Sequence, residues 1–163
     1  YGENYELTKR NDLDQPGQYA ANKTVTIKTK KNIKEGVRIV GPIRNYTQVE
    51  VLSSDKEYFG INPPIRNSED LNNSEEITII GPKGEITKEN ICIIANRHIH
   101  INSRDKDKFK EDEIVKVKVG DIILDNVHIK ISDSYSTSFH INKDDALNNN
   151  ITSNMTGVII KED

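Results

Sequence analysis

The strongest constraint on the fold is a pattern that occurs three times, in which β-branched segments lie on either side of turn-forming residues. Val25 to Val40 surrounds Lys31-Asn32, Ile77 to Ile94 surrounds Pro82-Lys83-Gly84, and Ile114 to Ile131 surrounds Gly120-Asp121. Side chains alternate between the faces of a strand, so apolar residues at period two broken by a turn read as β-hairpins. The first two stretches also resemble each other. Val25-Thr26-Ile27 and Ile77-Thr78-Ile79 each precede a Lys-containing turn and a second apolar strand, as an internal duplication would leave them. Repeated hairpins with short helices do not suit an α/β layered fold, and small barrels close their own edges. The expectation is a mainly β protein of two small β-barrel domains, residues 1–95 and 96–163, with the seam near residue 95. After Ala146, Asn148-Asn149-Asn150 reads as a loop and Val158-Ile159-Ile160 as a last strand.

Composition agrees and narrows the function classes. Ile and Val carry the apolar content, there is no Trp, and 163 residues suffice to bury roughly 70% of the extended-chain surface. With 23 basic against 26 acidic residues the net charge is -3, which excludes a general attraction to nucleic acid or anionic lipid and leaves small molecules as the expected partners. Cys92 is the single cysteine and forms no internal disulfide. No apolar run approaches the ~20 residues of a membrane span, so a soluble, cytoplasmic protein is expected. Triplets such as Asn22-Lys23-Thr24 and Asn45-Tyr46-Thr47 arise from the abundance of Asn. The first residue is Tyr1 and not Met, which suggests that the natural beginning lies outside this sequence.

Each hairpin is followed by a short polar-studded strand and a helix-start signal. These are Thr47 to Ser53, Arg97 to Asn102 and Ser138 to Asn142, with Ser53, Asn102 and Asn142 as N-caps. His100 and His140 stand two residues before their caps and Glu50 three before its own. Three modules would thus offer a metal ligand at nearly one structural address, beside a helix N-terminus that suits an anion. His98 and His100, two apart in a strand, can aim both imidazoles at one point, and His140 is the natural third ligand. Three protein ligands and an open position are the pattern of catalytic zinc. The plainer reading is a pair of histidines packed in a barrel or lying on its surface.

His128 reads as an exposed strand residue, and Cys92, among isoleucines, as a small buried hydrophobe. Arg44 and Glu50, six apart, could meet phosphate and a metal, or could simply form a surface ion pair. The polar loops Asp12 to Gln18 and Asn62 to Ser68 are where a rigid β scaffold would place substrate contacts.

These residues resemble the phosphate propanoyltransferases, PduL-type phosphotransacylases associated with bacterial microcompartments. The resemblance runs over nearly the whole chain. It rests on Leu7-Thr8-Lys9-Arg10 with Asp12-Leu13 and Gln15-Pro16-Gly17-Gln18, Gly41-Pro42-Ile43-Arg44 with Thr47-Gln48-Val49-Glu50, Asn62-Pro63-Pro64-Ile65-Arg66, Gly81-Pro82-Lys83-Gly84 and Arg97-His98-Ile99-His100. Phe139-His140-Ile141-Asn142 followed by Asp144-Asp145-Ala146 is close to the family form.

The resemblance implies a pair of β-barrels capped by short helices, with two zinc ions in a cleft at their junction, in a homodimer. It implies that His98, His100 and His140 hold one zinc, that Glu50 helps to hold the second, and that Arg44 contacts phosphate, with Gln15 and Ser68 lining the substrate cleft. The family carries a further His-x-His element before the Leu-Thr-Lys-Arg segment that this sequence does not contain. One zinc is therefore expected here where the complete family site has two. The family's microcompartment-targeting extension would also lie at the N-terminus.

The expected function is that of a phosphate acyltransferase, interconverting propanoyl-CoA or acetyl-CoA plus phosphate with acyl phosphate plus coenzyme A. The alternatives are a zinc hydrolase of a phosphate ester or thioester and a non-enzymatic metal-binding or microcompartment interaction module. Phosphate dependence distinguishes the first alternative, and a closed four-ligand metal site would mark the second.

Overall fold

The computed structural model describes residues 1–13 and 15–161, so Asp14 of the loop from Asp12 to Gln18 lies outside the described residues. In chain order the elements are β1 (Lys9–Asp12), β2 (Tyr19–Lys28), β3 (Ile33–Gly41), β4 (Val49–Glu50), α1 (Asp55–Phe59), β5 (Ile65–Arg66), β6 (Glu75–Gly81), β7 (Gly84–Ala95), β8 (Arg97–Asn102), β9 (Ile114–Val119), β10 (Ile122–Ser132), β11 (Ser138–His140), α2 (Lys143–Asn148) and β12 (Gly157–Ile160). The protein is mainly β, its sheets curled into half-barrels, with two short α-helices among the described residues. Backbone contacts divide it into two compact units, Tyr1–Ile94 and Ala95–Asp163. Among the described residues no helix is long and apolar enough to cross a membrane.

In the first unit β2 is the long central strand. It pairs antiparallel with β3 on one edge, and with β1 and then β6 on the other. The β2–β3 turn is held by Thr29, whose N–H donates to the Asn32 carbonyl at 2.9 Å and whose hydroxyl donates to the carbonyl of Phe59 at 2.6 Å. Gly41 stands opposite Tyr19. A Cβ there would lie 2.4 Å from the tyrosine ring, so a side chain would displace it.

The β6–β7 hairpin turns at Pro82-Lys83 and carries a bulge, near which Asn90 adopts φ 58. Asn is among the residues that tolerate this left-handed conformation. Beyond the bulge Ile91, Cys92, Ile93 and Ile94 are all buried. This is the continuous apolar run of a strand covered on both faces. β4 runs parallel to it, Val49 beside Cys92 and Glu50 beside Ile93. The core gathers Ile27, Val49, Val51, Phe59, Ile77, Ile91, Cys92 and Ile94.

Helix α1 starts one residue later than expected. Its N-cap is Ser54, which makes no capping hydrogen bond through its side chain, and not Ser53. The Asp55 carboxylate accepts instead from the Leu52 N–H at 2.8 Å. A carboxylate in the first turn suits the positive end of the helix dipole.

In the second unit the strand order is β11-β8-β10-β9-β12. β9 and β10 form the hairpin expected around Gly120-Asp121, and Gly120 supplies the positive φ of 60 that the turn requires. β10 bulges between Leu124 and Val127, with Asn126 at φ 52. β8 lies parallel to β10, β11 lies antiparallel on the other edge of β8, and the expected last strand is β12. The core is Ile99, Ile101, Val115, Val117, Val119, Val127 and Ile129.

These parallel ladders revise the repeat inferred from sequence. The ligand-bearing strand belongs with the hairpin that follows it, not the one before. β4 lies parallel to the returning strand of β6–β7, and β8 to that of β9–β10. β11 has no such place, since it pairs antiparallel with β8. The repeat therefore has two copies and an added strand, not three copies.

Two predictions follow from the first core. Phe59 is 1% exposed, so Phe59→Ala should lower stability by about 3–5 kcal/mol in urea unfolding. An unchanged midpoint would show that the end of α1 is not packed. Burial, helped by the charges of Glu75 and Asp55, pushes the Cys92 thiol from 9.0 up to about 12. A raised thiol pKa favours the neutral form in the fold, so stability should fall as pH climbs from about 9 towards 12. At neutral pH iodoacetamide should label Cys92 in urea and leave the folded chain untouched.

Candidate metal centre

The geometry of the histidines follows from strand register. His98 and His100 alternate with Ile99 and Ile101 along β8, so the isoleucines enter the core and the imidazoles project from the opposite face. His140 of β11 stands directly across from His98. Paired residues of an antiparallel ladder point to the same side, so the third imidazole joins the other two. The ring centroids lie 5.0 Å apart for His98 and His100, 4.9 Å for His98 and His140, and 4.2 Å for His100 and His140. One nitrogen from each lies within 4.8 Å of the others.

The surroundings prepare these rings to be ligands. His98 Nδ1 lies 3.2 Å from the Asn96 carbonyl, which can only accept, so the ring proton sits on Nδ1 and Nε2 carries the lone pair. Nε2 is buried and has no hydrogen-bond partner. A buried nitrogen left unsatisfied costs about 1–3 kcal/mol, and a cation among the three rings would satisfy it.

His100 is 2% exposed and stacked on Tyr135, with centroids 4.0 Å apart and an interplanar angle of 12°. His140 Nε2 lies 2.8 Å from the Ser138 hydroxyl. Burial is the first cause that pushes His98 and His100 down to about 4. The charges of His140 and Lys130 add to it for both, His128 adds for His98, and His98 adds for His100. Both are neutral at pH 7, the form that binds a metal. Three imidazoles and, among the described residues of the cluster, no carboxylate or thiolate suit zinc or another first-row divalent ion.

Hydrogen bonds anchor the segments that deliver these rings. Two residues after His140 the Asn142 side chain caps α2, accepting from the Asp145 N–H. Arg97 of β8 donates through both Nε and Nη2 to the Asp145 carboxylate, at 2.9 and 2.7 Å. This planar, bidentate pairing fixes the start of α2 against the strand that carries His98. The Asn102 side chain caps the turn Ser103–Asp105 as expected, and also donates to the carbonyls of Asp133 and Tyr135. Tyr135, Ser138 and Arg97 were not singled out in the sequence as site residues. Ser138 alone had a usable signal, its place two before His140 on the same strand face. His128 corrects its expectation. It is half-buried, bonded through Nδ1 to Asp112 at 2.8 Å, and not an exposed strand residue.

The remaining candidates lie in the first unit. Gln48 is their hub. Its amide donates to Glu50 Oε1 at 2.9 Å and to the Ser68 hydroxyl at 3.0 Å, and its carbonyl oxygen accepts from the Glu69 N–H at 2.8 Å. Glu50 and Ser68 are thereby brought together, whereas the sequence had offered them separately. Glu50 keeps solvent access but sits in dense surroundings. Lost hydration raises its carboxyl above the usual range, against the lowering effects of the Gln48 bond and the Arg44 charge. Arg44 is exposed and donates to the Tyr46 hydroxyl at 2.7 Å. Gln15 lies in a turn where its carbonyl accepts from the Gln18 N–H. No hydrogen bond joins its side chain to Gln48, Glu50 or Ser68 among the described residues.

Comparison with known proteins bears on this chemistry. A family model described as phosphate propanoyltransferase matches residues 1–152. A phosphate propanoyltransferase of Thermotoga maritima is 45% identical over 152 residues, covering 90% of this chain and 72% of that protein. Another from Priestia megaterium is 43% identical, covering 98% of this chain and 76% of the relative. One from Rhodopseudomonas palustris is 36% identical, with 90% and 67% covered. A match of this breadth identifies an acyltransferase, and the chain belongs to the phosphate propanoyltransferase family.

Proposed function

We propose that this protein moves an acyl group between coenzyme A and inorganic phosphate, with propanoyl-CoA or acetyl-CoA as thioester, and that His98, His100 and His140 hold a zinc ion for the purpose. The names of the relatives support the reaction. The zinc reading is carried by the convergence of three imidazoles on one sheet face, with the His98 lone pair buried and unmet. When bound there, zinc supplies Lewis acidity and positive charge near a reacting oxygen.

In the forward direction a phosphate oxygen forms a bond to the thioester carbonyl carbon, and the tetrahedral oxyanion collapses as the carbon–sulfur bond breaks and its electron pair leaves with the thiolate. Coenzyme A is a good leaving group, so no covalent bond to the protein is needed. The residues' task is positioning, which alone can remove several kcal/mol from a two-substrate barrier. Arg44 is assigned to phosphate, because its planar guanidinium matches two phosphoryl oxygens and the Tyr46 hydroxyl orients it. Glu50, steadied by Gln48, is assigned to the second metal of the complete family site. Ser68 and Gln15 are assigned to the walls of the substrate site.

The test follows release of coenzyme A thiol from propanoyl-CoA by the zinc-supplemented chain, with and without phosphate. Release should require phosphate, or arsenate in its place. His98→Ala should lower kcat/KM more than ~100-fold through loss of a metal ligand. Arg44→Lys should raise the KM for phosphate by about tenfold and spare that for the thioester. Phosphate-independent release would instead identify a hydrolase, and full activity in His98→Ala would refute the metal assignment.

A further inference from the structure

Three side chains join the histidine face without having been assigned a role. In the parallel ladder His128 stands beside His98, and Lys130 beside His100. Register partners in a sheet project to the same side, with strands about 4.8 Å apart. Ile129 pairs with Ile99 and both enter the core, which confirms that His128 and Lys130 face the other way, with the imidazoles. Asp112, in the turn before β9, completes the group. Its Oδ1 lies 2.8 Å from His128 Nδ1 and 3.4 Å from Lys130 Nζ.

An ammonium beside three metal-ligand imidazoles is unfavourable for a cation alone. Standing beside His100 in the ladder, the Lys130 ammonium would repel a divalent ion among the imidazoles, unless an anion sits between the two charges. Asp112 does not fill that role well, since its contact with Lys130 is long and the same oxygen is more closely engaged by His128. An ammonium has three donors, and this contact uses one. The Lys130 side chain is 25% exposed, so it is reachable.

The geometry points to Lys130 as an anion-binding residue, whose ammonium holds a phosphoryl oxygen of a substrate at the histidine face. This rests on the transferase reading above and extends it to a residue in the second unit. The phosphoryl group comes either from inorganic phosphate or from coenzyme A. Asp112 sets the position of Lys130 and competes for its charge. Glu111 is occupied elsewhere, accepting from the Ile131 N–H at 2.7 Å.

The experiment is calorimetric titration of the zinc-loaded chain with inorganic phosphate, coenzyme A and dephospho-coenzyme A. Lys130→Met removes the charge and keeps the aliphatic stem, and Lys130→Gln serves if the Met variant misfolds. Loss of a charge-assisted hydrogen bond should weaken binding by about tenfold or more. Lys130→Arg should restore it, and Asp112→Asn should leave it equal or tighter. Zinc content should be unchanged or higher without the lysine. A loss confined to inorganic phosphate assigns the site to that substrate. A loss seen with coenzyme A but not its dephospho form assigns it to the 3′-phosphate, and a loss with both forms to the diphosphate. Folded Lys130 variants that bind every probe as tightly as the parent overturn the assignment. So does a pattern in which the Lys130 variants and Asp112→Asn lose equal stability and neither alters binding, for then the pair merely pins a turn. A parent chain that carries zinc yet binds none of the three probes would defeat the transferase reading itself.

Discussion

The structure of the site depends on the register of a single strand. β8 alternates imidazole with isoleucine, and its isoleucines lock into a core with Val127 and Ile129. A slip of one residue would turn His98 and His100 into that core and expose the isoleucines. Hydrophobic burial on one face therefore aims the chemistry on the other. The neighbours on either edge extend the alignment, β11 bringing His140 across from His98 and β10 bringing Lys130 across from His100.

This arrangement stores an electrostatic preference. Burial makes the charged form of His98 and His100 unfavourable, so they stay neutral and keep their lone pairs. Orientation comes from polar groups around them: the Asn96 carbonyl for His98, the Tyr135 ring for His100 and the Ser138 hydroxyl for His140. A divalent ion would satisfy the buried His98 Nε2. In the first unit Gln48 does comparable work for Glu50, though that carboxylate keeps access to solvent.

Much of this was legible because it is local. Period-two apolar residues around Lys31-Asn32, Pro82-Lys83 and Gly120-Asp121 specify hairpins, and those hairpins are β2–β3, β6–β7 and β9–β10. The His-x-His spacing similarly fixes which side chains share a face. Parallel pairing was not legible, because the contact of Val49 with Cys92 or of His100 with Lys130 depends on long loops and leaves no pattern at short range. The same limit hid Lys130 and Tyr135 from the sequence reading, and made His128 look solvent-exposed. At α1 two adjacent serines, Ser53 and Ser54, offer the same cap signal, and the helix takes the second.

The central claim is that three nitrogen ligands from β8 and β11 converge on one cation. X-ray absorption at the zinc edge measures this directly. The account predicts about three imidazole nitrogens at ~2.0–2.1 Å with oxygen completing the shell and no sulfur, and loss of imidazole scattering in His140→Ala. A shell dominated by carboxylate or sulfur, or a spectrum indifferent to His140→Ala, would contradict it.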